Sequence, residues 1–238
     1  MAQYSGTFHC YEDDFIDRIE SKLYTRDINY ANIEKMTWPI GEEGLFDNIE
    51  DFKNEHLDWL EPVKMKRVLV QAGAGMGVWP ILYTQYFDTI YTFEPSLMNR
   101  YVSEKNIKKY DVNNKITFFK KALGEHEDKG WTLDKSRQHY GEFQNHGAHR
   151  ITLNHNGSEK TTKIDSLNLQ ICDLIQLDIE GFEYQALVGA KETLERCKPV
   201  IIVETAHGGV SERQMNVMNY RKYWQGRMDA IYVHNSHK

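Results

Sequence analysis

Three glycines alternate along Val68–Pro80, VLVQAGAGMGVWP: Gly73, Gly75 and Gly77. They follow an apolar run without alternation, the pattern of a strand buried on both faces. Glycine at a strand-to-helix turn lets the chain turn tightly and lets a ligand lie against the main chain. The spacing is GxGxG. A dinucleotide fingerprint, GxGxxG, would need glycine where Val78 stands. GxGxG suits S-adenosylmethionine, which has no pyrophosphate to set on a helix N-terminus. Glu94 closes the next apolar run, TIYTFE, about 20 residues on, where an acid can accept hydrogen bonds from both ribose hydroxyls. The competing reading of Glu94 is a charge ahead of the following helix.

A second group of residues has the chemistry for proton transfer. Asp178 and Glu180 lie in QLDIEGFEYQALVGA, at the end of an apolar run, and Glu204 and His207 lie in VIIVETAHGG, at the end of another. Ligands bind at the C-terminal ends of strands in open α/β sheets, so these four are the candidate catalytic residues. Carboxylates and a neutral imidazole can orient a hydroxyl or take its proton. Asp178 and Glu180, with Glu183 beyond them, also suit a helix's first turn as charges alone. His139, His146 and His149 raise a metal reading, but their spacing matches no zinc pattern, and no metal is expected.

These residues need a scaffold of alternating strands and helices. Strands are expected at RVLVQA, TIYTFE, KITFFKKAL, DLIQLDIEG, KPVIIVE and DAIYVHN. Helices are expected from Val78 to Phe87, after Ser96 as N-cap, through FEYQALVGAKETLERC, and through SERQMNVMNYRKYW. That order implies a mostly parallel sheet with helices on both faces. WTLDK, HRITLN and KTTKIDSL read as strands of an antiparallel insertion around a polar loop rich in His and Gly. Residues 1–62 are aromatic-rich, acidic and weakly periodic, and read as a cap or lid on a domain spanning 63–238.

The motifs AGAGMG, TFEPS, KKALGE, TKIDSL, QLDIEGFEYQALVGA and VIIVE, in this order over about Arg67–Glu204, resemble the FkbM family of S-adenosylmethionine-dependent methyltransferases. The resemblance implies a class I methyltransferase fold, Rossmann-like, and methyl transfer to a hydroxyl oxygen of a sugar, glycan or small metabolite. By position it implies that Gly73, Ala74, Gly75 and Gly77 form the cofactor loop, Glu94 clamps the ribose, and Ala122 and Leu123 lie near the adenine. Asp178 and Glu180 match the family's D-x-E-G element, where the Asp178 carboxylate can hold the cofactor's ammonium or orient the acceptor hydroxyl. The family usually has an acid where Gln71 stands and Asn where Gly75 stands. The Gln71 amide can still accept a hydrogen bond from the cofactor's ammonium, without charge assistance.

The alternatives are an NAD(P)-dependent oxidoreductase, a nucleic-acid methyltransferase and a non-catalytic nucleotide-binding module. Val78 counts against the first. The second lacks a Pro-Pro element, and a net charge of −6 disfavours a phosphate backbone as partner. Three widely spaced cysteines, a polar N-terminus and no long apolar run point to reduced thiols, a cytoplasmic location and no membrane span.

Overall fold

The structure is a computed structural model describing residues 13–30, 33–40, 58–134, 139–140, 143–144, 148–154, 156–157, 159–205 and 208–237. Helix α1 (Asp13–Glu20) leads into an antiparallel hairpin, β1 (Leu23–Tyr30) and β2 (Ile33–Pro39). Then come β3 (Val68–Ala72), α2 (Val78–Tyr83), β4 (Thr89–Phe93), α3 (Leu97–Tyr110) and β5 (Ile116–Phe119). The insertion comprises β6 (Ala122–Leu123), β7 (Gly130–Asp134), the short β8 (His139–Tyr140) and β9 (Phe143–Gln144), β10 (Arg150–Leu153) and β11 (Glu159–Thr162). The chain closes with β12 (Leu174–Leu177), α4 (Glu183–Val188), α5 (Lys191–Cys197), β13 (Val200–Glu204), α6 (Glu212–Val217), β14 (Tyr220–Gln225) and β15 (Asp229–His234).

Seven strands form the central sheet in the order β14-β15-β13-β12-β3-β4-β5. From β13 to β5 they run parallel, and β15 is antiparallel to its neighbours on both sides. The first parallel strand therefore lies in the middle, so the chain reverses direction across the sheet beside β3. That switch point opens a crevice at the strand ends. Both faces are covered. Leu69, Leu174 and Ile202 join α2, α3 and the N-terminal hairpin in one apolar core; Val70, Ile175 and Val203 join α4, α5 and Met215 of α6 in the other. No helix among the described residues is long and apolar enough to cross a membrane.

Three elements differ from the sequence expectation. KITFFKKAL splits, with β5 in the central sheet and β6 pairing with β11 of the insertion. The expected helix through residue 197 is two helices, because the Asp165 carboxylate caps the second one, accepting from the amides of Glu192 at 3.0 Å and Thr193 at 2.9 Å. The expected helix through Trp224 stops at Val217: Asn219 takes a left-handed φ of 66°, and YRKYWQ continues as an edge strand. The N-terminal hairpin contributes to one of the two cores. Met36 and Trp38 of β2 are fully buried there.

Candidate functional site

The glycine turn lies directly above the switch point. Amides of Gly73 and Ala74 donate to the carbonyl of Phe93 at 3.1 and 3.2 Å, which carries the chain over the end of β4. Two of its glycines differ in what surrounds them. Gly73 has φ 84°, and a Cβ there would overlap the carbonyl oxygen of Asp178. Gly75 has φ 54°, and a Cβ there meets nothing within 4 Å, so the space in front of it is open. Ser103 of α3 holds the turn from behind, donating to the Gly75 carbonyl at 2.5 Å.

Glu94 follows β4 and is 4 % exposed. Its carboxylate accepts from the amides of Gly75 and Ser96, both at 2.8 Å, and so binds the strand end to the glycine turn. Burial pushes it up to about 7, opposed by those two amides. Ser96 is the N-cap residue of α3 by position but makes no side-chain cap; its hydroxyl lies 3.3 Å from Nδ1 of His149. Gln71 is buried within β3. Its buried amide donates to the Gly73 carbonyl at 3.1 Å and accepts from Thr92, so it supports the turn from inside the sheet and does not line the cavity.

Beside the turn, three carboxylates converge. Asp178 follows β12, Glu180 sits two residues on, and Glu204 ends β13; each offers an oxygen within 4.8 Å of the others. Carboxylates this close, taken out of water, repel one another when all are charged. Burial raises both Asp178 and Glu204, and the charges of Asp178, Glu180, Glu183 and Asp229 raise Glu204 further. Glu180 has φ 58°, an uncommon conformation for a residue with a side chain.

All of these face one cavity of about 260 Å³, lined by Gly73, Ala74, Gly75, Glu94, Asp178, Glu180 and Glu204. Gly77 caps α2 from outside it, with φ 87°. Ala122 and Leu123 of β6 form part of its wall with Phe182. The insertion adds Leu133 and Ile151, partners across β7 and β10, together with His149. Trp38 of the N-terminal hairpin and Trp79 of α2 complete the wall, and Trp79 stacks on Trp59 at 5.5 Å. Of these, the sequence singled out only His149; Trp38 was missed because tryptophan in a weakly periodic segment carries no positional signal, and Leu133 and Ile151 because an insertion strand's pattern does not say what it faces. His207 and His146 lie outside the described residues, as does the side chain of His139.

The arrangement offers a backbone cradle for a nucleoside, an acid to hold a ribose, and a carboxyl pair that can orient a hydroxyl. A family model described as the methyltransferase FkbM domain matches residues 74–227, more than half of the chain. Among solved structures, a putative methyltransferase, yhhF, from Escherichia coli is similar at 11 % identity, covering 89 % of this chain and 98 % of that one, with a TM-score of 0.50. Methyltransferase FkbM from Methylobacillus flagellatus KT is similar at 18 % identity and a TM-score of 0.47, covering 71 % of this chain. This chain spans 44 % of the length of that protein. Magnesium protoporphyrin IX methyltransferase (ChlM) from Synechocystis PCC 6803 with bound SAM is similar at 10 % identity, covering 79 % of this chain and 80 % of that one, with a TM-score of 0.44. No curated protein matches the chain.

Proposed function

The chain belongs to the FkbM methyltransferase family and is an S-adenosylmethionine-dependent methyltransferase, and from that premise we propose that it methylates a hydroxyl oxygen of a sugar, glycan or other small metabolite. The observation that carries the proposal is the placement, in one cavity, of an open glycine turn beside three convergent carboxyl groups. When bound, S-adenosylmethionine supplies an electrophilic methyl group on its sulfonium.

The chain's own residues divide the remaining work. Gly73, Ala74 and Gly75 present backbone to the cofactor, with Gly77 fixing the start of α2. Glu94 accepts from the ribose hydroxyls, and Ala122 and Leu123 offer an apolar wall for the adenine. Gln71 acts indirectly, by holding the Gly73 carbonyl. The Asp178 carboxylate accepts from the acceptor's hydroxyl, aligning its oxygen and drawing off the proton, with Glu204 beside it. Glu180 lends further negative charge to the same spot. Residues 1–62 serve as a cap through Trp38, and residues 63–238 carry the cofactor and the carboxylates.

The test is Asp178→Asn, which keeps the shape and removes the charge. Methyl transfer from labelled S-adenosylmethionine into the small-molecule fraction of a cell extract should fall by about 10²–10⁴-fold, with S-adenosylhomocysteine binding retained and wild-type transfer unaffected by EDTA. Near-normal transfer by the variant would make Asp178 structural. The spacing of the three carboxylates also suits an oxygen-donor cation site. Loss of transfer with EDTA and recovery with magnesium would select that reading.

A further inference from the structure

We infer that Glu183 is a positioning residue. It latches the turn that carries Glu180 to the loop that follows Glu204, and so keeps the carboxylate cluster assembled. What the cluster does for catalysis rests on the hydroxyl-methylation reading above; the latch is a separate claim about geometry.

Glu183 is the first residue of α4, where an acid ordinarily faces water and interacts with the helix dipole. Here it is fully buried. Its side chain turns back, and Oε1 accepts from the amides of Ile179 at 3.0 Å and Gly181 at 3.2 Å. Those amides flank Glu180, whose left-handed backbone persists only where its surroundings hold it. One carboxylate oxygen therefore pins both sides of the strained residue. The other oxygen, Oε2, lies against Gly209 so closely that a Cβ on Gly209 would overlap it. The next amide, of Tyr184, donates to the Gly209 carbonyl at 3.2 Å. The loop leaving Glu204 thus closes on the same side chain that shapes the turn leaving Asp178. A shift of either loop would separate carboxylates that now lie within 4.8 Å of one another.

A role as first-turn charge and a role as latch make opposite predictions for glutamine, which keeps the accepting oxygen and loses the charge. Hydrogen–deuterium exchange would be measured on the wild type, Glu183→Ala, Glu183→Gln and Gly209→Ala. In Glu183→Ala, exchange should rise about tenfold or more in both 179–181 and 208–211, as expected when a local opening loses its restraint. In Glu183→Gln both segments should stay near wild type. Gly209→Ala, which drives a methyl group into Oε2 while leaving the acid in place, should loosen the same two segments, and it decides the question alone if Glu183→Ala does not fold. S-adenosylhomocysteine affinity by calorimetry should stay within about twofold in all three variants, because Glu94 and the glycine turn are untouched. Methyl transfer into the small-molecule fraction should fall by about 10- to 100-fold in Glu183→Ala and Gly209→Ala, the scale of a misplaced reactive group, and recover in Glu183→Gln. Equal loosening in Glu183→Gln, loosening confined to 179–181, or unchanged transfer by folded Glu183→Ala would overturn the latch. A wild type that binds S-adenosylhomocysteine but transfers no methyl group would instead overturn the hydroxyl-methylation reading, with the exchange data still deciding the latch.

Discussion

Glu94 shows how one carboxyl can pull folding and ligand binding in opposite directions with pH. Burial pushes it up to about 7, above the range it would have in the unfolded chain, so folding takes up a proton there. Its contribution to stability is full below the ordinary carboxylate range and is lost as pH rises through about 7. Asp178 and Glu204 are raised as well and act in the same sense. The ligand-free protein should therefore melt at a lower temperature at about pH 8 than at about pH 5.5. Cofactor binding has the reverse sign, because ribose hydroxyls donate best to an ionised carboxylate. The thermal shift caused by S-adenosylhomocysteine should grow over the same interval, and Glu94→Gln should flatten that growth. Scanning fluorimetry across pH, with and without ligand, checks both; parallel trends would mean the acid does not meet the ribose. At this scale the sequence was informative where chemistry and backbone coincide. The glycine spacing and the acids at strand ends are written locally. Gln71 was not legible in the same way, because which side of a buried strand faces the cavity depends on neighbouring strands that the local pattern does not contain.

Elements were legible when buried on both sides and misleading at the edges. RVLVQA, TIYTFE and KPVIIVE have no polar alternation, so their burial could be read directly. YRKYWQ has apolar residues that satisfy either a helical face or an alternating strand, and the left-handed Asn219 ahead of it decides for the strand. The break between α4 and α5 was hidden for a different reason: its cap, Asp165, comes from the short 3₁₀ turn Ile164–Leu167, far away in sequence. Asp165→Ala should remove that cap, including its bond from the Thr193 hydroxyl at 2.8 Å. Unfolding free energy should fall by about 0.5–2 kcal/mol, the usual worth of a cap. S-adenosylhomocysteine affinity should not change, since Asp165 caps α5, none of whose residues lines the cavity. Denaturant titration with parallel calorimetry tests this, and a loss of affinity matching the loss of stability would show the helices to be coupled to the site.

For the whole molecule, the N-terminal hairpin is part of the body of the fold. Asn106 of α3 is the joint: its amide donates to the carbonyls of Thr37 at 2.9 Å and Met76 at 2.8 Å and accepts from the Thr37 amide at 2.8 Å. One buried side chain thereby ties together the hairpin, the glycine turn and α3. Asn106→Ala strands these groups and should lower stability by about 1–3 kcal/mol. Protease sensitivity within residues 33–39 should rise together with weaker S-adenosylhomocysteine binding, because Trp38 and the glycine turn lose the same support. Digestion with unchanged ligand affinity would show the hairpin to be a passenger.

The contact of Gly73 with the Asp178 carbonyl has a consequence for biosynthesis. The two residues are more than a hundred positions apart, yet the turn takes its shape against that backbone. On a ribosome adding about 5–20 residues per second, the glycine turn waits several seconds or longer for its partner strand. During that interval β3 and β4 are present without the strand that sits between β3 and β13, and their apolar edges are open. The cavity in front of the turn is also incomplete in that interval, because Asp178, Glu180 and Glu204 of its lining have not yet been made. The stretch between the glycine turn and β12 is thus the period in which the edge of β3 stays unpaired on that side.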